Sequence, residues 1–215
     1  MGQHWFERYR HVYARWWEET STSLDAEERL EWSVFQRPDE LTPLSAAELR
    51  DLMADFPGLQ PQVQEFLTRF GAGPLRVLNQ GREPLEWQVF TPEELRERVT
   101  SVQQQADWEL ESLDEAIPCH THGSDITACR TLLSSLRDHP GEIFPLLGAE
   151  SPFDFLYVLQ GSTRFGQVGY WYHDYPICEL LDGTGTSDSL EAYGEELLRQ
   201  ARTCLIEPEE LEDRR

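Results

Sequence analysis

Phe153-Asp154-Phe155-Leu156-Tyr157-Val158-Leu159 and Gln167-Val168-Gly169-Tyr170-Trp171-Tyr172-His173 are the two runs whose reading decides the fold. In the first, Phe153, Phe155, Tyr157 and Leu159 recur at every second position, the side-chain period of a strand. In the second, Val168, Tyr170 and Tyr172 share one face, and Trp171 and His173 share the other. The loop at 161–165 is within hairpin range, so the two strands are expected to pair antiparallel. Ile143-Phe144-Pro145-Leu146-Leu147 precedes them as a short apolar strand, and 177–181 follows the Asp174-Tyr175-Pro176 turn.

Working outward, the earlier chain alternates helices with two further strands, expected at 75–79 and 85–90. Ser45-Ala46-Ala47-Glu48 has the form of a capping box, in which the Ser hydroxyl and the Glu carboxylate satisfy orphan backbone N–H groups. Leu49, Leu52, Met53 and Phe56 form the buried face of that helix, and Pro57-Gly58 stops it. Pro61 opens the next helix, with Val63, Phe66, Leu67 and Phe70 inward and Gly71 past its end. Thr91-Pro92-Glu93-Glu94 is another capping box, leading into Leu95, Val99 and Val102. The segment 103–123 has no clean period, because Asp107, Glu109, Glu111, Asp114 and Glu115 interrupt Trp108, Leu110 and Leu113. A helix resumes at Ile126 with Leu132, Leu133 and Leu136 on one side. The last helix, capped by Asp188 with Glu191, lines up Leu190, Tyr193, Leu197, Leu198 and Ala201.

The N-terminal residues Trp5, Phe6, Tyr9, Val12, Tyr13, Trp16 and Trp17 make one stripe of a 3.6-residue period. A short helix from Asp25, boxed by Glu28, places Leu30, Val34 and Phe35 behind it, and 36–43 reads as a connector. The fold class is therefore α+β: a single antiparallel sheet of about five to six strands with helices packed on it. The organisation is an N-terminal aromatic helical extension (1–43) packed on the body, an α+β domain (44–206) and a charged tail (207–215).

Charge excludes several partners. The chain of 215 residues has a formal net charge of −22. Residues 99–198 hold three basic side chains (Arg130, Arg137, Arg164) against seventeen acidic ones. Phosphates are repelled by such a field, so nucleic acid and anionic lipid are poor partners, while a basic protein is a good one. No apolar run approaches the ~20 residues of a membrane span. The N-terminus lacks the apolar core of a signal peptide, so a cytoplasmic location is expected. All eighteen basic residues are arginine, which suits a GC-rich, bacterial coding sequence.

The cysteines, Cys119, Cys129, Cys178 and Cys204, include no C-x-x-C pair and make no disulfide scaffold. Cys119-His120-Thr121-His122 with Cys129 offers zinc-type ligands, but the second well-spaced pair is missing. Gly183-Thr184-Gly185-Thr186 precedes a helix as a phosphate loop would, yet no lysine follows it and Asp182 and Asp188 flank it. His173-Asp174 has no nucleophile-elbow serine to serve. No enzyme, metal or cofactor is therefore expected.

The order of elements and particular words in the sequence resemble the SUKH superfamily, which includes bacterial toxin-immunity proteins and a fungal cell-wall regulator. The early words are Leu44-Ser45-Ala46-Ala47-Glu48-Leu49, Phe56-Pro57, Glu65-Phe66-Leu67 and Phe70-Gly71-Ala72-Gly73. The late ones are Phe144-Pro145-Leu146-Leu147-Gly148, Phe153-Asp154-Phe155-Leu156-Tyr157, Gly166-Gln167-Val168 and Ser189-Leu190-Glu191-Ala192-Tyr193. The resemblance spans 44–202; the first forty residues and the stretch 103–137 depart from it. It implies a non-enzymatic binding protein, most simply an immunity protein that neutralises a basic, nuclease-like toxin domain. A regulatory adaptor of the same fold is the alternative, and a metal-assisted hydrolase the alternative of another class.

The candidate partner-binding residues are Asp107, Glu109, Glu111, Asp154, Trp171, His173, Asp174 and Asp182, with a basic toxin domain as partner. The aromatic N-terminal stripe leaves either a monomer or a homodimer open.

Overall fold

The computed structural model describes residues 3–78, 83–114, 126–148, 155–160, 166–171, 177 and 187–205. Its aromatic N-terminus is helix α1 (Trp5–Ser23), which buries Trp5, Phe6, Tyr9, Tyr13 and Trp16. Helix α2 (Ala26–Glu31) is capped as expected, Asp25 and Glu28 forming both halves of the box. Of the apolar residues read behind it, Phe35 packs against the core, but Leu30 and Val34 do not. Leu30 is 75% exposed and Val34, in the following 3-10 turn, is 54% exposed. Six helical residues are too few to present a full stripe to a neighbour.

Helices α3 (Ala46–Asp55) and α4 (Pro61–Arg69) begin at the Ser45 capping box and at Pro61. Helix α4 ends at Gly71, whose φ of +100° is a left-handed conformation that favours glycine. Strand β1 (Gly73–Val77) begins two residues earlier than expected, and β2 (Leu85–Val89) follows it. Two helices then intervene, α5 (Pro92–Asp114) and α6 (Ile126–Asp138). Strands β3 (Ile143–Gly148), β4 (Phe155–Leu159) and β5 (Val168–Trp171) complete the sheet, and helix α7 (Leu190–Arg202) ends the described chain. The cap of α7 is Ser189, whose hydroxyl accepts the Ala192 N–H, and not Asp188.

The class is α+β, with one five-stranded sheet in the order β1-β2-β3-β4-β5 and every pairing antiparallel. The sixth strand expected near 177–181 lies outside the described residues apart from Ile177, whose backbone is helical. The 161–165 loop and the 207–215 tail also lie outside them. Every residue of β3 and β4 is buried, so the central strands are covered on both faces rather than on one. The period of two read in β4 therefore does not mark one buried face; Leu156 and Val158, between the alternating positions, are buried as well. Pro145 sits at a register shift of the β3–β4 pair, where its missing N–H costs the ladder least.

The outer edge of β1 is not left open. Residues 38–42, read as a connector, lie along it: Glu40 N–H donates to Pro74 C=O (2.9 Å) and Arg76 N–H to Pro38 C=O (2.7 Å). Helix α1 is fixed to β1 by Tyr9, whose hydroxyl donates to Arg76 C=O (2.8 Å) and accepts the Leu78 N–H (3.0 Å). Phe6 meets Phe66 and Phe70 edge-on at 5.4 and 4.9 Å between centroids. Trp5 packs against α7 at Gly194, and Arg8 pairs with Glu195. The aromatic stripe thus belongs to the same core as the sheet.

Candidate functional site

The segment without a legible period is a helix. α5 runs unbroken to Asp114, and Val102, Ala106, Glu109 and Leu110 are its buried face at helical spacing. A carboxylate stands where an apolar residue is expected, which hides the repeat. Glu109 is 6% exposed, and both its oxygens accept the Ile177 N–H at 3.0 Å. It also accepts a hydrogen bond from Gln105 Nε2 (3.0 Å), and Gln105 Oε1 in turn accepts the Trp171 indole N–H (3.2 Å). A buried carboxylate needs donors of this kind to offset its lost hydration. Glu109 and Trp171, two of the expected partner-binding residues, are therefore interior groups that join α5 to the sheet.

The opposite stripe of α5 faces solvent. Gln104, Asp107, Trp108 and Glu111 are all exposed and fall at i, i+3, i+4 and i+7. Trp108 is 65% exposed, the one aromatic among the strongly exposed large hydrophobic residues described. Sequence reasoning used Asp107 and Glu111 but took Trp108 only as part of an unreadable stretch. The signal was present, since Trp108 is out of phase with Val102, Ala106 and Leu110 once the helix is recognised. Asp154, His173, Asp174 and Asp182 lie outside the described residues, so they are not placed relative to this stripe.

Two concavities border α5. The smaller, about 230 Å³, lies between α5 and the sheet and is lined by Ser101, Gln104, Gln105, Trp108, Phe155 and Trp171. The larger, about 610 Å³, lies where the α3–α4 turn meets the start of β3 and is lined partly by Asp55, Arg96, His139, Glu142 and Gln160. Several of its polar groups already have partners. Arg96 pairs with Asp55 at 2.8 Å, and the Gln160 amide accepts Gln60 N–H (3.1 Å) and donates to Val158 C=O (3.3 Å). Among the described residues no serine, threonine, cysteine or lysine lines it. Size alone favours the larger cavity; the aromatic lining, with exposed Trp108 at its rim, favours the smaller one.

Among the described residues no three His, Cys, Asp or Glu side chains are grouped to hold a metal ion. Cys129 is buried and disulfide-bonded, with its partner outside the described residues, so its sulfur is not available to the zinc set weighed from sequence. One bridge is therefore present where none was expected; Cys204 is free. Cys119, His120 and His122, the Gly183–Thr186 loop and the His173-Asp174 pair lie outside the described residues. No described helix is long and apolar enough to cross a membrane. Compared with protein-family models, curated proteins and solved structures, the chain finds no match.

Proposed function

We propose that this chain is a non-enzymatic protein-binding module, and that it acts as a bacterial immunity protein against a basic, nuclease-like toxin domain in the cytoplasm of the producing cell. The observation that carries the proposal is the exposed stripe Asp107-Trp108-Glu111 on α5, an aromatic anchor between two carboxylates. Tryptophan is enriched among residues that dominate binding energy, and rim carboxylates steer a cationic partner and reject an anionic one. The surrounding charge supports the same choice, with seventeen acids against three arginines over 99–198. Toxin nuclease domains are commonly basic because they hold phosphate, so an acidic inhibitor presents them with a competing field. The resemblance of 44–202 to the SUKH superfamily supports the fold-level part of this reading, and five antiparallel strands with flanking helices suit it.

The test is neutralisation. Where a gene for a basic toxin domain lies beside its own, co-expression with that domain is expected to restore growth at equimolar dose, through a stable one-to-one complex and no covalent change in the toxin. Growth inhibition that persists while both proteins are folded and present would overturn the proposal.

A further inference from the structure

We propose that the 230 Å³ cavity between α5 and the sheet is the receptor for a single arginine side chain of a basic protein partner. The inference rests on the binding-module reading and gives it a contact point. The cavity is smaller than the roughly 300–1,000 Å³ of sites that enclose a drug-sized molecule, so it fits one side chain inserted from a neighbour. Three of its six described lining residues are aromatic, Trp108 at the rim and Phe155 and Trp171 within. Phe155 and Trp171 are stacked 5.6 Å apart at 6° between planes, which holds the inner wall rigid. The Trp171 indole is further fixed by its hydrogen bond to Gln105, so little ordering remains to be done on binding.

The chemistry of the wall and rim selects the guest. Aromatic faces attract cations, and a planar guanidinium stacks on indole while its N–H groups reach nearby acceptors. The amide oxygen of Gln104 and the Ser101 hydroxyl are acceptors among the described lining residues, while the Gln105 amide is engaged by Trp171 and Glu109. Among the described residues no lining residue is basic, and Asp107 adjoins Trp108 on the exposed face. A second copy of this chain is a poor occupant, because it would bring another net charge of −22 to the same face. A nucleic acid or an anionic lipid surface meets the same repulsion.

The probe is a hexa-arginine peptide, with hexa-citrulline as its neutral isostere, titrated into the isotopically labelled full chain and followed at the indole N–H signals. Hexa-arginine is expected to move the Trp108 and Trp171 signals and to bind roughly tenfold more weakly to Trp108→Ala, the loss of about one cation–aromatic contact. Because Trp108 is mostly exposed, that variant is expected to keep the wild-type circular dichroism spectrum. Hexa-citrulline that moves the same signals as strongly would overturn the arginine receptor. So would hexa-arginine binding equally to wild type and Trp108→Ala, which leaves the acidic face as a binding surface without this cavity. Hexa-arginine that binds neither protein at low salt would overturn the cavity and the basic-partner reading together.

Discussion

Tyr9 shows how one polar atom ties an added helix to a sheet. Its hydroxyl is the meeting point of α1 and the end of β1, donating to Arg76 C=O and accepting from Leu78 N–H. Tyr9→Phe leaves that carbonyl and amide unpaired in the core, so it is expected to lower stability by roughly 1–3 kcal/mol, measured by urea denaturation at neutral pH. Burial also pushes the Tyr9 hydroxyl far above the ordinary tyrosine range, and Tyr13 shifts the same way for the same first cause. The sign follows directly. A pKa raised in the folded state means that the unfolded chain ionises first, so stability is intact below about pH 10 and falls as pH rises beyond it. Alkaline unfolding is therefore expected to be less steep with pH in Tyr9→Phe than in wild type. An identical alkaline profile would show that the hydroxyl is not buried.

At the scale of elements, the contact of α1 with α7 turns on Gly194. A Cβ at that position would stand 2.1 Å from the Trp5 ring, and the ring is itself buried. Alanine in a free helix is favoured over glycine by about 1 kcal/mol; here Gly194→Ala is expected to destabilise by roughly 1–3 kcal/mol through overpacking. A rise in the thermal midpoint would mean that the two helices do not touch. The Cys129 bridge gives a second test at this scale. Reduction is expected to cost about 2–4 kcal/mol and to lower the melting temperature; the proposed cytoplasmic location, where thiols are kept reduced, requires the chain to stay folded without the bridge. A chain that unfolds in reductant would contradict the proposed compartment. Elements were legible in the sequence where a cap or a clean period marked them, as at Ser45-Glu48, Asp25-Glu28 and Phe155–Leu159. They were not legible where tertiary structure overrode the local signal. Glu109 masked the second half of α5 because a carboxylate fills a core position that Ile177 N–H and Gln105 make tolerable. The same substitution of polar for apolar makes an inner residue look like a surface acid: the sequence groups Glu109 with Asp107 and Glu111, but only the latter two are exposed. Leu30 and Val34 fail in the opposite sense, since nothing in a six-residue helix and the short 3-10 turn after it tells them apart from buried residues.

For the whole molecule, the distribution of charge matters more than any pocket. A net charge of −22 concentrates in the second half of the chain, while the first 98 residues carry most of the arginines. Several of those arginines are tied in pairs that fasten α1 and its neighbours, including Arg10 with Asp39 (2.7 Å), Arg69 with Glu7 (2.5 Å) and Arg76 with Glu40 (3.1 Å). The acids of α5 at Asp107 and Glu111 are left facing solvent beside Trp108, the arrangement a steering surface requires. Binding through it should weaken as salt rises, because the field is screened over a Debye length of ~8 Å at physiological ionic strength. The central claim is that this face captures a basic protein. It is tested most directly by affinity capture from the native source at low and high salt, with wild type beside the triple variant Asp107→Asn, Trp108→Ala, Glu111→Gln, and by identification of what is retained. The account predicts a stoichiometric partner of isoelectric point above about 9, held by wild type at low salt and lost both at high salt and in the triple variant. Retention of that partner by the triple variant, or recovery of only neutral and acidic partners with salt-independent binding, would contradict it.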